Sequence, residues 1–183
     1  MDSAMNAFDY ISVTHNDGIA TITLDRPDVR NAINDDMRAE LISAFTAADT
    51  DKSVRAIILT GAGKGFCSGG DIGGMRARLD APSGEVAFNG WKRQKSTHKG
   101  VAAIHGVSKP VIAAVNGAAF GLGLDMALSC DFIIAAEGAK MSMSFIKRGL
   151  VSDGGGMYFL PRRVGLSKAK ELIFSARIVE PDE

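Results

Sequence analysis

Leu59-Thr60-Gly61-Ala62-Gly63-Lys64-Gly65-Phe66-Cys67-Ser68-Gly69-Gly70-Asp71-Ile72 and Val115-Asn116-Gly117-Ala118-Ala119-Phe120-Gly121-Leu122-Gly123-Leu124-Asp125 share one pattern: an apolar strand, a glycine-rich turn and the start of a helix. Glycine lets the backbone take positive φ and approach a ligand closely. A helix start presents unpaired N–H groups and a partial positive charge. Two such turns after strands of one sheet can aim two donors at one oxygen. Taken singly, each turn would ordinarily be a connector. The spacing disfavours three sharper readings. Gly63-Lys64 is followed by Gly65 rather than Ser or Thr, so the phosphate-loop pattern fails. Gly117, Gly121 and Gly123 do not form the dinucleotide-binding pattern GxGxxG, and no serine lies in GxSxG.

Outward from these turns, buried strands alternate with helices. Tyr10–Thr14 and Ile19–Leu24 read as strands joined through Asn16-Asp17-Gly18, a strong hairpin signal. Residues 34–48 read as a helix capped by Asn34, with Met37, Leu41, Ile42, Phe45 and Ala48 on one face. Val54–Leu59 is a short apolar run that suits a strand buried on both faces, Val111–Val115 reads as another buried strand, and Phe132–Ala135 reads as the next strand. A short strand is expected near Lys140–Met143. Helices are expected over 85–105, from the second glycine turn to about Ser129, and over 154–160 and 167–175. This alternation predicts an α/β fold with mainly parallel pairing in one domain, residues 1–183.

Composition narrows the function classes. Lys+Arg and Asp+Glu each total 21, so formal net charge is zero and no whole-chain basic field invites nucleic acid or an anionic membrane. Cys67 and Cys130 have neither CxxC nor CxxH spacing, which argues against a disulfide framework or a structural zinc site. No window approaches about 20 uninterrupted apolar residues, and the N-terminus has no basic region followed by an apolar run. A cytoplasmic protein is the default expectation, with no membrane, nucleic-acid or metal partner.

The two turns, taken together, resemble the crotonase (enoyl-CoA hydratase/isomerase) family. The resemblance begins at Thr23-Leu24-Asp25-Arg26-Pro27-Asp28-Val29-Arg30-Asn31-Ala32 and continues through Lys109-Pro110-Val111-Ile112-Ala113-Ala114-Val115-Asn116-Gly117. It extends through Ser129-Cys130-Asp131-Phe132, Gly149-Leu150-Val151-Ser152-Asp153-Gly154-Gly155 and Leu160-Pro161-Arg162. Roughly residues 8–183 follow the family's order and spacing. The resemblance implies a crotonase-like spiral of ββα units and an acyl-CoA substrate. It implies no cofactor beyond the coenzyme A that the substrate carries, and a homotrimer or hexamer. It also implies that the sequence stops before the family's C-terminal helices, which cover the acyl pocket and build the trimer.

Forming an enolate from a thioester puts negative charge on the thioester oxygen, and donors already aimed there lower the barrier. By position, the resemblance assigns these donors to the backbone N–H groups of Gly70 and Leu122. It assigns catalytic carboxylates to Asp153 and Asp125. It places Asp28, Val29, Arg30, Ala32, Ser68, Asp71 and Ile72 around the coenzyme A. Arg26, Arg30 or Lys64 could meet its phosphates as cations. The second carboxylate of the family's hydratases falls at Phe145 here. A dry site with one working aspartate suits proton shuttling, so double-bond isomerisation by Asp153 with Asp125 assisting is the expectation. The alternatives are an enoyl-CoA hydratase and a non-catalytic CoA-binding protein. A Clp-like serine peptidase shares the spiral core, but none of His15, His98 and His105 falls in a suitable motif. Outside the family context, Asp125 would read as a turn cap or a member of a surface ion pair, and Asp153 as a turn former before Gly154.

Overall fold

The computed structural model describes residues 8–82 and 84–183. Strands β1 (Ile11–Asn16) and β2 (Ile19–Leu24) form the expected hairpin, with Asp17 at φ 49° and Gly18 at φ 81°. Positive φ at both turn residues matches the right-handed twist of the strands it joins. Helix α1 (Asp35–Thr50) follows, and the Asn34 side chain accepts a 2.8 Å hydrogen bond from the Met37 N–H at its start. Next come β3 (Ala56–Gly61), β4 (Gly65–Cys67), α2 (Ile72–Leu79), α3 (Glu85–His105) and β5 (Val111–Val115). The chain continues through β6 (Ala118–Phe120), α4 (Leu122–Ser129), β7 (Phe132–Ala135) and β8 (Met141–Ser142). It then runs through a 3₁₀ turn at Ser144–Arg148 to α5 (Gly156–Val164) and α6 (Leu166–Ser175).

Two sheets result. The larger has strand order β1-β2-β3-β5-β7, antiparallel between β1 and β2 and parallel elsewhere. The smaller has order β4-β6-β8 and is wholly parallel. Short strands repeatedly answered by a helix give the α/β fold that the sequence pattern predicts and the spiral architecture that the resemblance implies. Period-2 alternation places Ile22, Leu24, Ile57, Leu59, Val111 and Ala113 on the covered face of the large sheet, where Met37, Leu41 and Phe45 of α1 join them. Each such large side chain contributes about 1.5–3 kcal/mol by leaving water.

Helix α4 is different in kind. All eight of its residues are buried, so it is an internal helix rather than an amphipathic cover. Among the described residues, no helix is long and apolar enough to cross a membrane.

Candidate functional site

Both glycine segments leave neighbouring strands of the large sheet, β3 and β5, as the sequence suggests, and each then passes through a short strand of the small sheet, β4 or β6. The short strands pair with each other, Gly65 opposite Ala118 and Cys67 opposite Ala119, so their turns emerge side by side. Gly69 sits at φ 105°, a conformation that L side chains rarely adopt. A Cβ added there would stand 2.9 Å from the Phe120 carbonyl oxygen and 3.6 Å from the Leu122 nitrogen. Only a glycine lets the first turn press this closely on the second.

The first donor is freed by the geometry of a parallel bridge between Ile33 and Gly70. Ile33 N–H donates to the Gly69 carbonyl at 2.8 Å, and Asp71 N–H donates to the Ile33 carbonyl at 3.0 Å. The bridge thus uses the groups on either side of Gly70 and leaves the Gly70 N–H facing away from it. The second donor is freed by position. Leu122 is the first residue of α4, where an N–H has no intrahelical acceptor. Neither N–H has an acceptor among the described residues. Gly70 and Leu122 line one cleft of about 500 Å³, together with Arg30, Ser68, Ile72 and Phe145. Phe145 reaches the second turn, 3.8 Å from where a Cβ on Gly121 would lie. Lys147 and Arg148 stand at the same cleft and bring positive charge; neither was singled out by the sequence.

The two aspartates occupy different surroundings. Asp125, one turn into α4, has no solvent exposure. Its Oδ2 accepts from the Ser152 hydroxyl at 2.8 Å and from the Gly154 N–H at 3.0 Å. Its Oδ1 lies by Gly156 without a well-formed hydrogen bond. Burial pushes its carboxyl up from the ordinary 3.8 to about 7, opposed by the Ser152 and Gly154 hydrogen bonds and helped by the nearby Asp153 charge. Asp153 instead forms a 2.9 Å ion pair with Arg93 of α3. It lines a second cleft of about 540 Å³ with Gln94, His98, His105, Tyr158 and Phe159. Gly154, on the wall of this second cleft, packs against the side chain of Leu122, and an added Cβ there would stand 2.6 Å from Leu122 Cδ1. The structure therefore brings the two main-chain donors together and sets Asp153 in the neighbouring cleft, with Asp125 enclosed behind it.

The residues expected around coenzyme A divide. Arg30, Ser68 and Ile72 line the donor cleft. Val29 is exposed nearby, and its carbonyl accepts from the Ser68 hydroxyl at 3.3 Å. Asp28 lies in the same exposed 3₁₀ turn, Pro27–Val29. Asp71 and Ala32 are tied inward. Arg26 donates to the Ala32 carbonyl at 2.6 Å and pairs with Asp71 at 3.0 Å. Arg26 thus spends its guanidinium on the protein. The other Asp71 oxygen takes the Gly73 N–H at 2.9 Å, capping the first turn of α2. Lys64 sits on the first glycine turn and does not line the donor cleft.

The sequence reading passed over two residues that shape this region. Asn31 is fully buried at φ 56°, and its Nδ2 donates to the carbonyls of Ala62, Gly65 and Phe66 at 3.0, 2.9 and 3.1 Å. It braces the whole first glycine loop. Arg93, the partner of Asp153, sits on a polar stretch of α3 that carries no motif. A signal did exist for Asp125: it is the one charged residue in the otherwise apolar Gly121–Leu128 run, the pattern of a carboxylate carried into a core. Cys67 and Cys130 are free and buried, and burial pushes both thiols up to about 12. Among the described residues no group of three or more His, Cys, Asp or Glu could hold a metal ion.

Comparison with known proteins places the chain in a family and the fold among solved structures. The enoyl-CoA hydratase/isomerase family profile matches residues 14–183. A 1,2-epoxyphenylacetyl-CoA isomerase of Escherichia coli is 40% identical over 155 residues, covering 85% of this chain and 58% of the relative. An enoyl-CoA hydratase of Alternaria alternata is 38% identical over 188 residues, covering 98% of this chain and 61% of the relative. The crystal structure of an enoyl-CoA hydratase from Polaromonas superposes with a TM-score of 0.85 at 36% identity, covering 94% of this chain and 65% of that one. The chain thus spans about three fifths of the length of the curated relatives it matches.

Proposed function

We propose, on the premise that the chain belongs to the enoyl-CoA hydratase/isomerase family, that it isomerises the double bond of an enoyl-CoA by moving one proton. The observation that carries this reading is the pair of uncommitted N–H groups, Gly70 and Leu122, at one cleft whose wall includes Phe145.

The thioester oxygen lodges between these two donors. Asp153 removes a proton from the carbon next to the double bond, and the electron pair moves through the conjugated system onto that oxygen. The electron pair then returns, and the same carboxyl delivers its proton to the far carbon. One C–H bond breaks and another forms, and nothing is oxidised or reduced, so the reaction calls for no redox cofactor. Removing one donor from such a hole typically costs about 10²–10³ in rate. Arg93 gives the Asp153 charge a fixed partner. Phe145 stands where a hydratase would need a second carboxylate to activate water, and an aromatic wall holds no water in place. Arg30, Lys147 and Arg148 supply the positive charge that suits the phosphates of coenzyme A.

The relatives' names include both an isomerase and a hydratase, so the decisive experiment distinguishes those products. Enoyl-CoA is incubated with the protein and the products are analysed by mass and by double-bond position. A product of unchanged mass with a shifted double bond is expected, and Asp153→Asn should abolish it while coenzyme A binding stays near normal. A product heavier by one water supports the hydratase reading. Thioester binding without turnover supports a non-catalytic CoA-binding protein. Full turnover by Asp153→Asn removes that residue from the mechanism.

A further inference from the structure

We infer that Asp125 is a positioning residue: its enclosed carboxylate clamps the Ser152–Gly154 turn to helix α4 and so fixes Asp153 relative to the Leu122 donor, without touching substrate. The inference rests on the reading of Asp153 as the proton carrier and gives the neighbouring carboxylate a separate task.

Three observations carry it. Asp125 has no exposure and lines neither cleft, so a bound acyl chain has no approach to it. One of its oxygens takes both the Ser152 hydroxyl and the Gly154 N–H, the groups immediately before and after Asp153. Finally, α4 begins with the Leu122 N–H and reaches Asp125 one turn later. One short rigid helix therefore carries the oxyanion donor at its start and the anchor of the Asp153 turn on its next turn. The same turn is held from the other side by Arg93 of α3. Contact between Gly154 and the Leu122 side chain closes the link and leaves no room for the turn to slide.

The chemistry of the clamp separates it from proton transfer. Asparagine keeps one acceptor oxygen, enough for both donors, and cannot carry the proton. Alanine keeps neither function. Misplacing a reacting group by about 1 Å can cost about 10²-fold in rate. Asp125→Asn should therefore hold kcat within about tenfold of the parent, and Asp125→Ala should lose about a hundredfold in kcat with KM nearly unchanged. Ser152→Ala leaves one of the two clamp bonds, so its loss should be intermediate. Combined with Asp125→Ala it should add little, because both changes remove the same contact.

The variants are made in the intact protein and followed by steady-state kinetics on enoyl-CoA and by hydrogen exchange over residues 152–154. Exchange there should quicken in Asp125→Ala and stay slow in Asp125→Asn. An Asn variant as inactive as the Ala variant makes Asp125 a proton carrier and overturns the inference. Unchanged exchange in both Asp125→Ala and Ser152→Ala overturns it as well. Should Asp125→Ala fail to fold, Asp125→Asn and Ser152→Ala still decide the matter. Hydrogen exchange does not depend on which reaction is catalysed, so a hydratase product would remove the isomerase reading and leave the clamp tested on its own.

Discussion

Replacing Asp125 by Asn should reverse part of the protein's pH dependence of stability. The carboxyl is fully enclosed, and burial raises its pKa from 3.8 to about 7. A folded-state value above the unfolded one means that the folded protein holds a proton which the unfolded chain releases. The resulting stability is fully present below about pH 4 and is lost as pH rises through about 7. At about 1.36 kcal/mol per pH unit the whole window is worth about 4 kcal/mol, of which about 3 kcal/mol falls between about pH 5 and 9. Asparagine has no charge to bury, so the difference in unfolding free energy, Asn minus Asp, should move in favour of Asn by about 3 kcal/mol across that interval. Urea unfolding of both proteins at several pH values measures this. Other titrating groups are common to both chains and cancel in the difference. A difference constant to within about 0.5 kcal/mol over the whole range would refute the raised pKa. The Asp125 carboxylate would then sit in a well-solvated or well-paired environment, contrary to its burial.

Two further changes probe the turns themselves. Asn31→Ala removes one side-chain amide shared by three loop carbonyls, and should lower stability by about 2–3 kcal/mol in urea unfolding. A loss below about 0.5 kcal/mol would show that water replaces the brace without cost. Phe145→Glu puts a carboxylate on the wall of the donor cleft. It should bring out a product heavier by one water in mass analysis of the reaction, and complete absence of that product would disconnect Phe145 from the choice between hydration and isomerisation.

Much of the fold could be read from local pattern. The Asp17-Gly18 hairpin, the Asn34 cap and the runs at Val111–Val115 and Phe132–Ala135 each depend on neighbours within a few residues, and the structure forms them there. Helix α3, Glu85–His105, forms over the expected residues despite Gly90 and Gly100. The short strand expected near Lys140–Met143 forms as β8, but β4 and β6 were harder: each has three residues, too few for a period-2 pattern to register. Their existence depends on partners more than 20 residues away along the chain. For that reason the short strands inside the two glycine segments emerge only in the structure, whereas the strands that open those segments, β3 and β5, share one sheet as the sequence suggests.

The sequence by itself determined which residues carry polar chemistry, where backbone donors lie unpaired at a helix start, and which family pattern the chain follows. These depend on residue type and short spacing. Tertiary structure alone decided how those groups are spent. It turned Arg26 inward to Asp71, joined Arg93 to Asp153 across 60 residues, and enclosed Asp125 behind Ser152 and Gly154. The free energy of a charge depends on its solvent exposure and on the partner that reaches it, and both arise only when distant segments pack together.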